Sequence, residues 1–243
     1  MEKILFDAHA HINEERFSEI DRGKLAKEIE KSQVAYVIDT AFNIRSSRQA
    51  ISDAEKYPWC YAIVGIHPHD SKELDENAIL QLREMSKHPK VKGIGEIGLD
   101  FYYDRSERDV QREGFRRQIR LANELKLPIV IHSRDADAET MEILREEGAF
   151  SSGRQSFFPY RRDEKGKKVP DSRVLIHCYS GSKEMAREYV KLGATISICG
   201  PVTFKNNRKT SEVAEDIPIE FLTVETDSPY LAPVPKRGKQ NMS

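Results

Sequence analysis

A recurring rhythm constrains the fold more than any other feature. Short apolar, β-branched runs occur at residues 4–6, 34–38, 62–66, 91–97, 128–131, 174–176, 195–198 and 221–224. Most are continuously apolar rather than alternating, as in strands covered on both faces by helices. Segments of helical period lie between them. Leu25 and Ile29 stand four apart, and Ile79, Leu82 and Met85 step by threes. Phe115, Ile119 and Ala122 line one face of a long charged helix for which Ser106 and Asp109 are capping candidates. Met141 and Leu144 precede the helix-stopping Gly148, and Ser182 and Gly193 bracket a further helix. Strand then helix, about eight times over, predicts an α/β fold of the TIM-type (β/α)8 barrel class. An open doubly wound sheet is the alternative. Eight strands suit closure, however, and no glycine-rich dinucleotide fingerprint follows the first run. A barrel of this kind accounts for all 243 residues as one domain, residues 1–243.

Two stretches depart from the rhythm. Residues 150–172, with "FSSGRQSFFPYRRDEKGKKVP", are rich in Gly, Ser, Arg and Lys and carry Phe157, Phe158 and Tyr160. They predict a long loop or insert at the barrel end opposite the active site. It reads as a solvated excursion or as an arm for a partner or nucleic acid. After 221–224 only "ETDSPYLAPVPKRGKQNMS" follows, and Pro229, Pro233 and Pro235 forbid a regular helix across it. The expectation is a barrel lacking the usual final C-terminal helix.

Active-site groups of such a barrel come from the C-terminal ends of several strands. The residues that close each run are therefore the informative ones. "FDAHAH" supplies Asp7, His9 and His11, "GIHPH" supplies His67, and "GEIGLDF" supplies Glu96 and Asp100. "VIHSRD" adds His132 and Arg134, "LIHCYSG" adds His177, and "VETDSPY" adds Glu225 and Asp227. Of the seven histidines only His69 and His88 fall outside this set. A lone strand-end histidine is most often structural. Five of them beside carboxylates are not, because burying so many polar rings without a ligand costs roughly several kcal/mol.

Imidazole and carboxylate are ligands of catalytic divalent ions. His9, His11, Glu96, His132, His177 and Asp227 make six, which suits two ions about 3.5–4 Å apart with Glu96 bridging. Asp227 is also placed to act as a general base. His67, Asp100, Arg134 and Asp7 are candidates for substrate contact or ligand support. Arg134 either clamps a phosphate or pairs with Asp135 or Asp100. His67 either contacts phosphate or orients a ligand. Asp7 shares a strand face with His9 and would orient it. Phe101, Tyr102 and Tyr103 either stack on a base or pack under their loop. Nothing near Cys178 activates a thiolate, so it reads as packing.

Lys+Arg (39) and Asp+Glu (40) nearly cancel, so no global field recruits a polyanion or a membrane. Cys60, Cys178 and Cys199 are scattered without a CxxC pair, which points to a reducing, cytoplasmic compartment. No apolar run approaches the roughly 20 residues of a membrane span, and no signal peptide is expected. No obligate protein partner is predicted.

Taken in order, "DAHAH", "GIHPH", "GEIGLDF", "IHSRDA", "IHCYSG", "CGPVTF" and "ETDSPYL" resemble the motif series of the TatD family. These are metal-dependent deoxyribonucleases among the amidohydrolase-like barrels. The resemblance runs through nearly the whole chain, although the family usually continues with a closing helix. It implies hydrolysis of DNA phosphodiesters by a metal-activated water, as a 3′–5′ exonuclease on single strands or 3′ ends. By motif, His9, His11 and Asp227 would hold one ion, His132 and His177 the other, and Glu96 both. Related amidohydrolases bridge with a carbamylated lysine, whereas Lys92 lies too early in its strand for that. The two divalent ions would be Zn²⁺, Mn²⁺ or Mg²⁺: histidine favours the first two, cellular abundance the third. Two alternatives stay open at this level. One is a hydrolase of amides, lactones or phosphotriesters, the other a metal-binding protein with little activity.

Overall fold

A computed structural model describes residues 2–15 and 17–243. The strands are β1 (Leu5–Ala10), β2 (Val34–Thr40), β3 (Cys60–Val64), β4 (Val91–Asp100), β5 (Ile129–Arg134), β6 (Arg161–Arg162), β7 (Lys168–Val169), β8 (Val174–Ile176), β9 (Thr195–Ile198) and β10 (Leu222–Val224). The helices are α1 (Glu19–Lys31), α2 (Ile44–Lys56), α3 (Glu76–Met85), α4 (Arg108–Leu125), α5 (Asp137–Glu146), α6 (Ser152–Gln155), α7 (Lys183–Lys191) and α8 (Arg208–Asp216). Eight strands form one sheet in the order β1-β2-β3-β4-β5-β8-β9-β10, each pair parallel. The two ends of the sheet then meet. The Asp227 N–H donates to the His9 carbonyl at 2.9 Å, and the His11 N–H to the Ser228 carbonyl at 2.7 Å. A barrel results rather than an open sheet, and all eight predicted strands are present.

The main core lies between strands and helices. Val64, Ile94, Ile97, Ile129 and Ile131 pack outward from the barrel against Leu82, Phe115 and Ile119. Helix starts follow local chemistry. Asn43 caps α2 in a reciprocal box with Ser46, Asp75 caps α3, and Ser182 caps α7. Helix α4 corrects one expectation, because Glu107 is its N-cap residue and no side chain caps it. Ser106 instead donates its hydroxyl to the His69 carbonyl at 2.8 Å, tying the start of α4 to a loop of the site.

Gly98 sets how closely β4 and β5 approach. Its φ is +146°, and a Cβ there would stand 1.9 Å from the His132 carbonyl oxygen. Only glycine lets the strand carrying Glu96 lie this close to the strand carrying His132.

The 150–172 stretch is folded rather than a plain loop. It holds the single turn α6 and the antiparallel ribbon β6–β7. Arg154 is buried and pins it, donating to the Ser172 carbonyl, Asn123 Oδ1 and the Leu127 carbonyl at 3.0, 2.7 and 2.8 Å. Among the described residues no helix follows β10. Asn241 Nδ2 ties the final residues to the Thr226 carbonyl at 2.7 Å. No described helix is long and apolar enough to cross a membrane.

Candidate metal centre

The end of β1 presents two imidazoles to the barrel mouth. His9 Nε2 and His11 Nε2 face each other at 3.2 Å. His11 Nδ1 lies 2.7 Å from the Thr40 carbonyl, which can only accept, so the neutral ring carries its lone pair on Nε2. Glu96 Oε2 stands 3.5 and 3.7 Å from the two nitrogens, and Asp227 Oδ1 stands 3.8 and 3.3 Å from them. His9 Nε2, His11 Nε2 and Glu96 Oε2 thus converge at separations close to the roughly 3.4 Å edge of a tetrahedron around an ion with bonds of about 2.1 Å, with Asp227 Oδ1 beside the two nitrogens. This donor set fits a divalent cation. Asp227 adopts φ +54°, a conformation aspartate tolerates better than most residues, and the His9 carbonyl holds it there.

The other carboxylate oxygen of Glu96 faces a second set. Oε1 lies 2.7 Å from His132 Nδ1, 3.0 Å from His177 Nε2 and 3.4 Å from His67 Nε2. The remaining nitrogens are held by other groups. Glu225 Oε1 accepts from His177 Nδ1 at 3.0 Å and from the Cys178 N–H at 2.8 Å. Asp100 Oδ2 lies 3.2 Å from His132 Nε2 and 2.8 Å from His69 Nε2, while its Oδ1 accepts the Tyr102 and Tyr103 N–H groups. His67 Nδ1 accepts the His69 N–H at 3.2 Å, so a neutral His67 points an N–H at Glu96. Ligand rings held by carboxylates in this way have fixed orientation and raised basicity.

Charge is balanced inside the cluster. Burial pushes the Glu96 carboxyl up, but the charges of His177 and His67 and hydrogen bonds from His132 and His177 outweigh it, holding Glu96 well below the usual range. Burial pushes His177 down, yet Glu96 and Glu225 carry it well above an ordinary imidazole. His11 behaves likewise: Asp227 overcomes burial and lifts it to about 9. His9 is depressed, by burial first and then by His177, whose ring stacks on it with centroids 3.9 Å apart.

All six proposed ligands meet here. Asp7 touches His9 only through the backbone N–H, at 3.4 Å. Its carboxylate instead takes the Thr226 N–H and hydroxyl at 2.9 and 2.6 Å, so it braces the turn before Asp227 rather than the His9 ring. Arg134 forms no salt bridge with Asp135 or Asp100 among the described residues. It lies over the Tyr102 and Tyr103 rings, 4.2 and 4.9 Å from their centroids. Arg134, Tyr103, Arg105, Phe42 and Tyr230 border a cleft of about 590 Å³ that contains the cluster. Tyr230 closes one side by donating its hydroxyl to Glu14. Burial pushes the Tyr179 hydroxyl upward. The Cys178 thiol is also pushed well up, first by its hydrogen bond with Cys199 and then by burial; this is not an activated nucleophile.

A sequence profile of the family described as TatD related DNase matches residues 6–243. The chain belongs to the TatD family. TatD relatives include a metal-dependent hydrolase of Bacillus subtilis (strain 168), YabD, 39% identical over 98% of this chain and 85% of that protein. A metal-dependent hydrolase named TatD from Mycobacterium tuberculosis is 33% identical over 98% of this chain and 84% of that one. The protein named 3′-5′ ssDNA/RNA exonuclease TatD in Salmonella typhimurium is 31% identical over 94% and 80%. Among solved structures, the TatD homologue YjjV of Escherichia coli K12 superposes with a TM-score of 0.83 at 25% identity, covering 98% of this chain and 84% of that one. This TatD chain is accordingly a metal-dependent hydrolase built on a TIM barrel.

Sequence reasoning left His69 outside the site and gave Glu225 no role. The signal for His69 was present in "GIHPH": Pro68 starts a 3-10 turn over Pro68–Glu73, which swings His69 back beside Asp100. The signal for Glu225 was its place two residues before Asp227, on the strand end that faces His177.

Proposed function

We propose that this TatD-family chain hydrolyses DNA phosphodiester bonds, removing nucleotides from the 3′ ends of single strands, with two divalent ions in the centre. One observation carries the reading: the two oxygens of Glu96 are divided between two sets of donors, a carboxylate bridge in waiting. His9, His11 and Asp227 would hold one ion and His132 and His177 the other. Bound there, the ions would supply Lewis acidity to an attacking water and to the phosphate oxygens.

The chain's own groups do the rest. Asp227, whose Oδ1 would hold an ion, offers its other carboxylate oxygen to the proton of the attacking water. Glu225 and Asp100 keep the His177 and His132 rings turned toward Glu96. Arg134 offers a planar cation to a phosphate, and Tyr102 and Tyr103, both exposed, offer faces to a terminal base. A net charge of −1 leaves strand binding to these few groups, so affinity is modest and digestion distributive. The name of the Salmonella relative supports the substrate class. Three unpaired cysteines support a reducing, cytoplasmic setting.

The test uses 5′-labelled single-stranded DNA with Mg²⁺, Mn²⁺ or Zn²⁺, beside a lactone, an N-acyl amine and a phosphotriester. Ladders that shorten from the 3′ end, and vanish with Glu96→Ala or Asp227→Asn, are expected. Lactone or amide turnover without DNA cleavage by any ion would replace this reading with the small-substrate one.

A further inference from the structure

The opposite end of the barrel holds a second cavity, about 450 Å³ in volume and within the range of small-molecule sites. It exists because the lowest inward layer is underfilled. TIM barrels ordinarily fill this level with bulky branched side chains. Here β1 contributes Ala8 and β10 contributes Thr223, while Ile38, Ile63 and Val130 form a small apolar cluster of their own beside Leu175. That cluster is separate from the main core. Phe6 and Tyr36 stand 43% and 49% exposed at the mouth, an apolar entrance rather than a sealed plug.

The rim is cationic. Lys92, Arg161 and Arg173 line the cavity, and no carboxylate does. Lys92 donates only to the Pro89 carbonyl, at 2.7 Å, and forms no salt bridge among the described residues. Arg161 and Arg173 share one carboxylate, Asp171, at 3.4 and 3.1 Å, and Arg161 Nη1 has no hydrogen-bond partner. Asp171 is paired directly and the charge of Glu220 also reaches Arg161, so three cations face two carboxylates and the lip of the apolar chamber keeps a positive excess.

We propose that this mouth binds a small amphipathic anion, its apolar body in the chamber and its carboxylate or phosphate head at Lys92, Arg161 and Arg173. A nucleic-acid strand fits less well, because the chamber walls offer aliphatic side chains and no groove for a continuous backbone. The site lies at the far end of the barrel from Glu96, so its occupant is distinct from the hydrolysed substrate.

Methyl NMR on the Mg²⁺-loaded protein, titrated with hexanoate, hexyl phosphate and neutral hexanol, tests this. Both anions should shift the methyls of Ala8, Ile38, Ile63, Val130 and Leu175 and leave Leu231, beside the metal centre, unmoved. Hexanol should bind at least about tenfold more weakly than hexanoate. Lys92→Gln, a change on the rim, should weaken the anions about tenfold and leave hexanol unchanged. Its unperturbed methyls elsewhere report that the fold is intact. Absence of shifts up to about 5 mM, shifts at Leu231 alone, or equal binding of hexanol and hexanoate would each overturn the proposal. Insensitivity of the anions to Lys92→Gln would overturn the head-group assignment.

Discussion

Ion uptake by the proposed centre should depend steeply on pH, because its proposed ligands hold protons that must leave. Asp227 lifts His11 to about 9 in the ion-free protein, and Glu96 and Glu225 lift His177 well above its ordinary value. At pH 7 His11 lies about two units below that midpoint. Freeing its Nε2 lone pair then costs roughly 3 kcal/mol, on the order of a hundredfold in apparent affinity. The sign follows from linkage. A histidine with a raised pKa stabilises the ion-free fold below its unfolded value of 6.5, and that stability is lost as pH rises through about 9. Cations compete with the same proton, so they bind more tightly over the same interval. Mn²⁺ calorimetry at pH 6.5 and 8.5, each in two buffers of different protonation enthalpy, measures both affinity and protons released. Affinity should rise about a hundredfold across that range, with protons released from both donor sets at the lower pH, since His132 is raised as well. Equal affinity at both pH values with no proton release would refute the coupling of His11 to Asp227 and of His177 to Glu96 and Glu225.

Other consequences can be checked separately. Glu225→Gln keeps an oxygen for His177 Nδ1 and the Cys178 N–H but removes the charge, so metal affinity should fall roughly 10–100-fold in indicator competition; an unchanged affinity would make Glu225 a packing residue. Arg134→Ala should lower kcat/KM on single-stranded DNA about 10–100-fold while sparing a p-nitrophenyl phosphodiester, and equal losses on both would remove it from strand binding. Asp39 is buried beside Asp53, and burial, then that neighbour, raises it to about 7. Its folded-state proton favours the fold below 3.8, a benefit lost as pH rises through about 7 and amounting to at most about 4 kcal/mol. In ion-free urea unfolding, Asp39→Asn should flatten the fall in stability between pH 5 and 8, and parallel wild-type and variant profiles would contradict this.

Strand number and the placing of the polar residues that close the strands were legible because they have one physical source. Parallel strands buried on both faces read as apolar runs, and the polar residues that end them stand out, as His132 does after Ile129–Ile131. What stayed hidden depends on contacts distant in sequence. Asp7 was read from strict alternation as a partner of His9. The β1–β2 pairing shifts register between Asp7 and Ala10, and the carboxylate reaches Thr226, 219 residues away. His69 was missed because a 3-10 turn, not a strand, aims it. Ser106 was read as a cap because its hydroxyl could serve α4, but the His69 carbonyl claims it. The ribbon at Arg161–Arg162 and Lys168–Val169 is too short to leave a periodic trace. Its anchor, Arg154, has the sequence appearance of a surface cation although it is buried under α4.

The division of Glu96 between two donor sets can be measured directly as stoichiometry. Mn²⁺ titration of the ion-free protein at pH 8, followed by metal analysis of the desalted product, should give two equivalents per chain in the wild type and a weakened, incomplete second equivalent in Glu96→Gln. One equivalent per chain, unaffected by Glu96→Gln, would contradict the two-ion centre.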